Sequence, residues 1–301
     1  MKYSILFLLA FLTLGCASTT LKNQSGVDRK QLLLMPQSMV AGIASDSYRS
    51  ALEAASKKNK LNVDPFQVKR VKKISNRLIA NANYFKPEAS QWAWEINVED
   101  SDEVNAYCMP GGKIMVYSGL IRKLKATDDE LAAVIGHEIS HGFDDSGARY
   151  NADGNLVDWW TADDLKQFTV LGTALANQYS ALEPLPGIHV DGKFTLGENI
   201  GDLGGVNAAY DGLQLYLKEK GNPGLIDGYT PEQRFFISWA TVWRTKMRDE
   251  AIKNQVKTDP HSPGMYRAYV PVQNIDAFYN AFDIKSGDGM YIAPENRVKI
   301  W

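Results

Sequence analysis

Thr127-Asp128-Asp129-Glu130-Leu131-Ala132-Ala133-Val134-Ile135-Gly136-His137-Glu138-Ile139-Ser140-His141 is the stretch on which the fold turns. Thr127 is an N-cap residue type, and Glu130 stands at the third helical position to complete a capping box. A helix is therefore predicted from about Asp128 to His141. Leu131, Ile135 and Ile139 recur at helical spacing and form one apolar stripe; His137 and His141 lie on roughly the opposite side. Four residues apart on one face, the two imidazoles can reach a single metal ion. Glu138 stands beside them, placed to take a proton from an attacking water. Two surface histidines would show the same spacing. The chain has only four histidines, so chance placement of such a pair around a glutamate is rare.

A catalytic metal site of this kind has three protein ligands and one open position. Gly197-Glu198-Asn199-Ile200-Gly201-Asp202 is the best source of the third. A helix is predicted from about Gly197 to Lys218, and Glu198 and Asp202, four apart, share its face. Glu198 can bind the metal, and Asp202 can hydrogen-bond the far nitrogen of a ligating histidine. Taken alone, the pair would read as acids at a helix N-terminus, which the helix dipole favours; beside the His-Glu-x-x-His motif, ligation is the better reading. Imidazole and carboxylate ligands make zinc the expected ion, one per chain. Of the other histidines, His189 reads as structural. His261 lies in the rigid loop Asp259-Pro260-His261-Ser262-Pro263-Gly264, which can present a functional group; Arg267 follows six residues later.

Outward from these motifs, residues 42–60 and 66–82 read as helices, the second with Val68, Val71, Ile74, Leu78 and Ile79 on one face. Residues 92–98 read as a strand. Residues 104–109 and 113–117 read as a hairpin around Pro110-Gly111-Gly112. Helices follow at about 161–182, from Pro231 through Phe235, Phe236, Trp239 and Trp243, and at 274–282. The fold class is α+β, mostly helical with one small sheet. Apolar residues make up 45% and charged residues 23%, a globular composition. The net charge of −2 gives no basic excess, so nucleic acid is not an expected partner.

The N-terminus is of another kind. Lys2, an apolar run at 5–12 and Leu14-Gly15-Cys16-Ala17-Ser18 describe a secretory signal resembling a bacterial lipobox, with Thr13 where Leu is commoner. Residues 1–16 would be the signal and Cys16 the lipidated first residue of the mature chain. Residues 17–33 are then a polar tether and 34–301 the folded domain, in two parts, 34–141 and 142–301. Ala17 and Ser18 carry no inner-membrane retention signal, so the outer membrane facing the periplasm is expected. With Cys16 acylated, Cys108 has no partner and the domain is not a disulfide scaffold.

From Gly136 to Trp301 the chain resembles the catalytic end of the neprilysin family of zinc endopeptidases. The matching stretches are His137–Asp145, Gly154-Asn155-Leu156-Val157-Asp158-Trp159-Trp160, Glu198–Gly205, His261-Ser262-Pro263-Gly264-Met265-Tyr266-Arg267 and the terminal Trp301. The resemblance implies a zincin-like metallopeptidase whose small sheet borders the cleft. His137, His141 and Glu198 would bind zinc, Glu138 would activate water and Asp202 would orient a ligand. His261 would stabilise the oxyanion, and Arg267 would hold the substrate carbonyl and the site. Residues 1 to about 136 are similar instead to small bacterial lipoprotein peptidases of the HtpX-like, CAAX-protease-related family. The lipobox, Asn105-Ala106-Tyr107-Cys108-Met109-Pro110-Gly111-Gly112 and the Thr127–Glu138 block carry that likeness. The chain thus reads as two families joined at the motif they share.

In both, an Asn-Ala pair lies on a strand by the cleft, so Asn105 and Ala106 are expected to bind an extended peptide by β-augmentation. The first half is too short for the helical lobe that caps the cleft in the neprilysin family, so a more open site is expected, accepting peptides and unfolded or folded proteins. The competing expectations are a non-catalytic zinc-binding lipoprotein and an inactive hybrid.

Overall fold

The computed structural model describes residues 17–18, 30–31, 37–82, 89–147 and 161–300. Cys16 and the signal before it, most of the 17–33 tether, the 154–160 motif and Trp301 lie outside the described residues. None of the described helices is long and apolar enough to cross a membrane.

A two-residue antiparallel pair, β1 (Ala17–Ser18) with β2 (Lys30–Gln31), precedes α1 (Gln37–Lys57) and α2 (Pro65–Ile79). Asp64 caps α2 through the amides of Phe66 and Gln67, and Pro65 opens it. The main sheet has the order β3-β5-β4, from β3 (Glu95–Glu99), β4 (Ala106–Met109) and β5 (Lys113–Tyr117). β4 and β5 form the expected antiparallel hairpin, whose turn places Gly111 and Gly112 at φ 83° and 72°, a region that favours glycine. β3 pairs with β5 in parallel, leaving β4 as an edge. The strand expected at 92–98 begins only at Glu95. The Trp92 and Trp94 rings stack on each other with centroids 5.6 Å apart, and Trp94 Nε1 donates to the Ala89 carbonyl. Their alternation reflects this aromatic stack, not a pleat.

A short helix, α3 (Ser118–Leu124), leads from the sheet into α4 (Asp128–Ser140). The capping box is formed: the Thr127 side chain accepts from the Glu130 amide, and Glu130 accepts from the Thr127 amide. After α5 (Ala162–Ser180) come α6 (Leu196–Lys220) and α7 (Pro231–Val242), the latter opened by a second capping box from Thr230 and Gln233. The chain ends in α8 (Asp249–Thr258), α9 (Gly264–Gln273) and α10 (Asp276–Phe282). The helix expected at 274–282 starts at Asp276, because Asn274 is the C-cap of α9.

Two apolar cores flank α4. The first joins the sheet (Ile96, Ile114, Val116) and α2 (Val71, Leu78) to the stripe Leu131, Ile135 and Ile139. The second gathers Leu175, Ile200, Leu203, Val206, Phe235, Trp239 and Val270 around α6, and includes Ala133 of α4. On that side α4 and α6 meet backbone to backbone. A Cβ on Gly136 would lie 3.0 Å from the Gly205 carbonyl oxygen; one on Gly205 would lie 2.6 Å from the His137 nitrogen. This approach brings the first turns of α6 against the histidine face of α4.

Candidate metal centre

His137 projects from the last turn of α4 and His141 from its C-cap, with their Nε2 atoms 3.0 Å apart. Each ring is aimed by a carboxylate at its other nitrogen. Asp202 Oδ1 lies 2.9 Å from His137 Nδ1, and Asp144 Oδ2 lies 2.7 Å from His141 Nδ1. Asp144 is itself fixed by accepting the amides of Ser146 and Gly147 at 2.8 and 2.7 Å. With a proton on each Nδ1, both Nε2 atoms present lone pairs to the same point. Glu198 adds a third donor from the first turn of α6: Oε2 is 3.2 Å from His137 Nε2, and Oε1 is 3.7 Å from His141 Nε2. Gly201 lets α6 come this close, since a Cβ there would lie 2.8 Å from the His137 ring.

Three donor atoms thus lie within 4.8 Å of one another, and the buried Glu198 Oε2 lacks a well-aligned hydrogen bond. The electrostatics demand a positive charge. Burial alone would depress the His137 imidazole, but Asp202 and Glu198 outweigh it and push its pKa up to about 10. Burial would raise the Glu198 carboxyl, yet His137 and His261 hold it far below the usual range. What holds a proton here would hold a cation with which that proton competes. The residues fit a divalent metal ion.

Glu138 is buried, 7% exposed, beside the donors. Burial raises its carboxyl, against the pull of His137 and His141. His261, in the loop before α9, points Nε2 at Glu198 Oε2 from 3.1 Å, while Asp259 Oδ1 holds its Nδ1 at 2.7 Å. The loop is tied to α6 by a buried chain: Ser262 Oγ donates to Asn199 Oδ1 (2.8 Å), and Asn199 Nδ2 donates to Thr195 Oγ1 (3.0 Å). Arg267 on α9 grips Asp202 with Nε and Nη2, both at 2.7 Å. Its guanidinium stacks 3.9 Å over the Trp243 ring, and its Nη2 is 3.9 Å from Glu198. The exposed His189 stands apart from this cluster.

β4 lies alongside α4. The Tyr117 amide donates to the Asn105 carbonyl at 3.0 Å, so Asn105, Tyr107 and Met109 face β5, and Ala106 and Cys108 turn their backbone groups to the open edge. Asn105 Oδ1 occupies the Ala106 amide at 2.9 Å. The open edge is therefore the Ala106 carbonyl and both backbone groups of Cys108. A small pocket lined by Trp92, Cys108, Met109 and Pro110 opens beside His141. Burial, and then Glu138 and Asp144, push the Cys108 thiol up, and Cys108 and His141 line the same pocket. Sequence reasoning missed Asp144, Asp259, Asn199, Ser262 and Cys108. Asp144 and Asp259 had a signal, an acid three residues after one histidine and two before another.

Two histidines one turn apart and a glutamate from a second helix make this a gluzincin-type metal centre on a mostly helical α+β fold. The family model of Peptidase family M13 matches residues 130–298; the chain belongs to that family. The model of Peptidase family M48 matches residues 65–149, so the two overlap on α4. Human neprilysin is 40% identical over 175 residues, 57% of this chain and 23% of its own. The neutral endopeptidase of Lactococcus lactis is 32% identical over 250 residues, 77% of this chain and 38% of its own. Among solved structures, Mycobacterium tuberculosis zinc metalloprotease Zmp1 in complex with an inhibitor matches with a TM-score of 0.67 at 32% identity. That match covers 87% of this chain and 49% of Zmp1. The chain spans 23% to 38% of the length of these two curated relatives.

Proposed function

We propose that this chain is a zinc-dependent endopeptidase hydrolysing internal peptide bonds. The observation that carries the reading is the convergence of His137, His141 and Glu198 on one point with Glu138 beside them, in a member of family M13. Bound zinc supplies Lewis acidity, drawing the pKa of water toward neutrality and polarising the scissile carbonyl. Glu138 takes a proton from the attacking water and passes it to the leaving amine; burial, by raising its carboxyl, makes the carboxylate a stronger base for the first of these transfers. His261, aimed by Asp259, donates to the developing oxyanion. Arg267 spends two nitrogens on Asp202, so it acts first by locking Asp202 onto His137 and offers its remaining nitrogen to a substrate carbonyl. An extended substrate pairs with the open β4 edge at Ala106 and Cys108, and Asn105 shapes that edge by filling the Ala106 amide.

The test is digestion of a mixed peptide library by residues 17–301, read by mass spectrometry, with a folded protein substrate alongside. Internal cuts should disappear with chelator and in Glu138→Gln, and that variant should retain its zinc. Undiminished cutting by Glu138→Gln would remove Glu138 from the mechanism. No cuts from folded, zinc-loaded protein would leave a non-catalytic or inactive zinc-binding protein. A closed structural site would need a fourth protein donor; the cluster among the described residues has three.

The Leu14-Gly15-Cys16 sequence supports a lipid anchor at Cys16, holding the enzyme at the outer membrane of a bacterial envelope, facing the periplasm. Full-length chain should incorporate labelled palmitate and sediment with membranes, and Cys16→Ser should lose both. Equal membrane recovery of the two would discard the anchor.

A further inference from the structure

A second concave site lies where α2, α4 and α6 meet, at the end of the α4–α6 pair remote from the metal. Asp128 on its wall is nine residues before His137, about 13 Å along the helix. The cleft encloses about 350 Å³, in the range of small-ligand pockets. Ile74, Leu78, Ala132, Ala209 and Leu213 give it an apolar floor. Its walls carry opposite charges: Lys73 and Arg77 from α2, Asp128 and Asp129 from α4.

Part of that charge is neutralised within the protein. Asp128 binds Arg70 at 2.6 Å; Arg77 reaches Glu219 at 3.4 Å and sits 5.8 Å over the Tyr216 ring. Lys73 and Asp129 have no hydrogen bond or ion pair among the described residues. Asp129 is half-buried, and burial followed by Asp128 raises its carboxyl, with Arg234 the one attraction opposing. An anion in the cleft would meet Asp128 and Asp129, and a simple cation would meet Lys73 and Arg77. An uncharged apolar molecule would strip water from the half-buried Asp129, give nothing back, and leave the exposed Lys73 at the rim unused.

We infer that this cleft binds a short apolar peptide by its two charged ends, the ammonium at Asp129, the carboxylate at Lys73 and the side chains on the floor. Such an occupant bridges both helices that carry metal donors. The inference does not depend on the peptidase reading, because binding is measured apart from turnover.

The test is calorimetric titration of zinc-loaded residues 17–301, with a hydroxamate saturating the metal centre. The probes are leucyl-leucine, its N-acetyl form and its amide. Gly212 lines the cleft, and a Cβ there would meet only Leu78 Cδ2 at 3.9 Å, outside the backbone of its own turn, so Gly212→Phe is the variant chosen to occupy the space. Leucyl-leucine should bind with Kd on the order of 1 mM or tighter. Acetylation or amidation should each weaken it about tenfold, Gly212→Phe should abolish binding, and Asp129→Asn should mimic acetylation without adding to it. Equal binding of the three probes, binding unchanged in Gly212→Phe or in Asp129→Asn, or none at all, would overturn the inference. Peptide binding here while the library stays uncut would sink the peptidase reading alone.

Discussion

The two sides of α4 are packed by opposite means. Toward the sheet, Leu131, Ile135 and Ile139 fill volume among the side chains of the first core. Toward α6 side chains are removed, and Gly136 and Gly205 let the two backbones touch. Chemistry follows the second arrangement. Glu198, Asp202, His261 and Arg267 all come from the α6 side, whereas the sheet side contributes the edge of β4. A volume-filled interface can adjust to small changes in shape. A backbone contact cannot, and it therefore suits the side where His137 must meet Asp202 and Glu198 within a few tenths of an ångström. The two family matches, residues 130–298 and 65–149, overlap on α4, a helix that contributes to both cores.

The difference is broken most severely at Arg267. Arg267→Ala would strand Asp202, which is 0% exposed, beneath His137 and empty the space under Trp243. Loss of one partner from a buried ion pair costs about 4 kcal/mol, and misaiming a ligand histidine weakens metal binding roughly 10- to 100-fold. Denaturant melts and zinc competition titrations would measure the two. A variant as stable as the parent would mean that water reaches Asp202. Next is Gly205→Ala, whose Cβ meets the His137 nitrogen at 2.6 Å and the Ala133 carbonyl oxygen at 2.8 Å. Overpacking against backbone outweighs the helix propensity gained, for a net loss of about 2 kcal/mol, together with weaker zinc binding. Ile135→Val, in the adjoining turn on the sheet side, should cost about 1 kcal/mol and leave zinc affinity unchanged. If both variants moved zinc affinity alike, the contrast between the two sides would fail.

What could be read from the sequence was local. The capping box, the apolar stripe, the histidine pair, the Glu198–Asp202 spacing and the β4–β5 hairpin each rest on residue types at fixed short separations, and each is present. Trp92 and Trp94 misled, because alternation cannot distinguish a pleat from two stacked rings. α8 was missed because it has no buried residues, and α9 because Pro271 interrupts its pattern. The parallel pairing of β3 with β5 leaves no local mark. The Ser262–Asn199 tie joins positions 63 apart, and neither residue type signals such a partner. Asn105 and Ala106 stand at the start of β4. Which of its backbone groups remain open depends on the register with β5 and on the Asn105 side chain folding back, and both are tertiary facts.

The smallest effect asks whether the two cores are one folding unit. Thr127 and Thr230 form equivalent capping boxes, on α4 and α7. α4 contributes side chains to both cores, whereas α7 contributes Phe235, Phe236 and Trp239 to the second alone. Replacing either threonine by alanine should cost about 1 kcal/mol, a fall in Tm of roughly 2–4 °C for a chain of this size. If the backbone contact between α4 and α6 makes the cores cooperative, both variants shift one transition by similar amounts in calorimetry and in circular dichroism. Were the cores independent, Thr230→Ala would move one of two steps, and Thr127→Ala would move both. The second pattern would mean that the glycine contact aligns the metal donors without coupling the stability of the halves it joins.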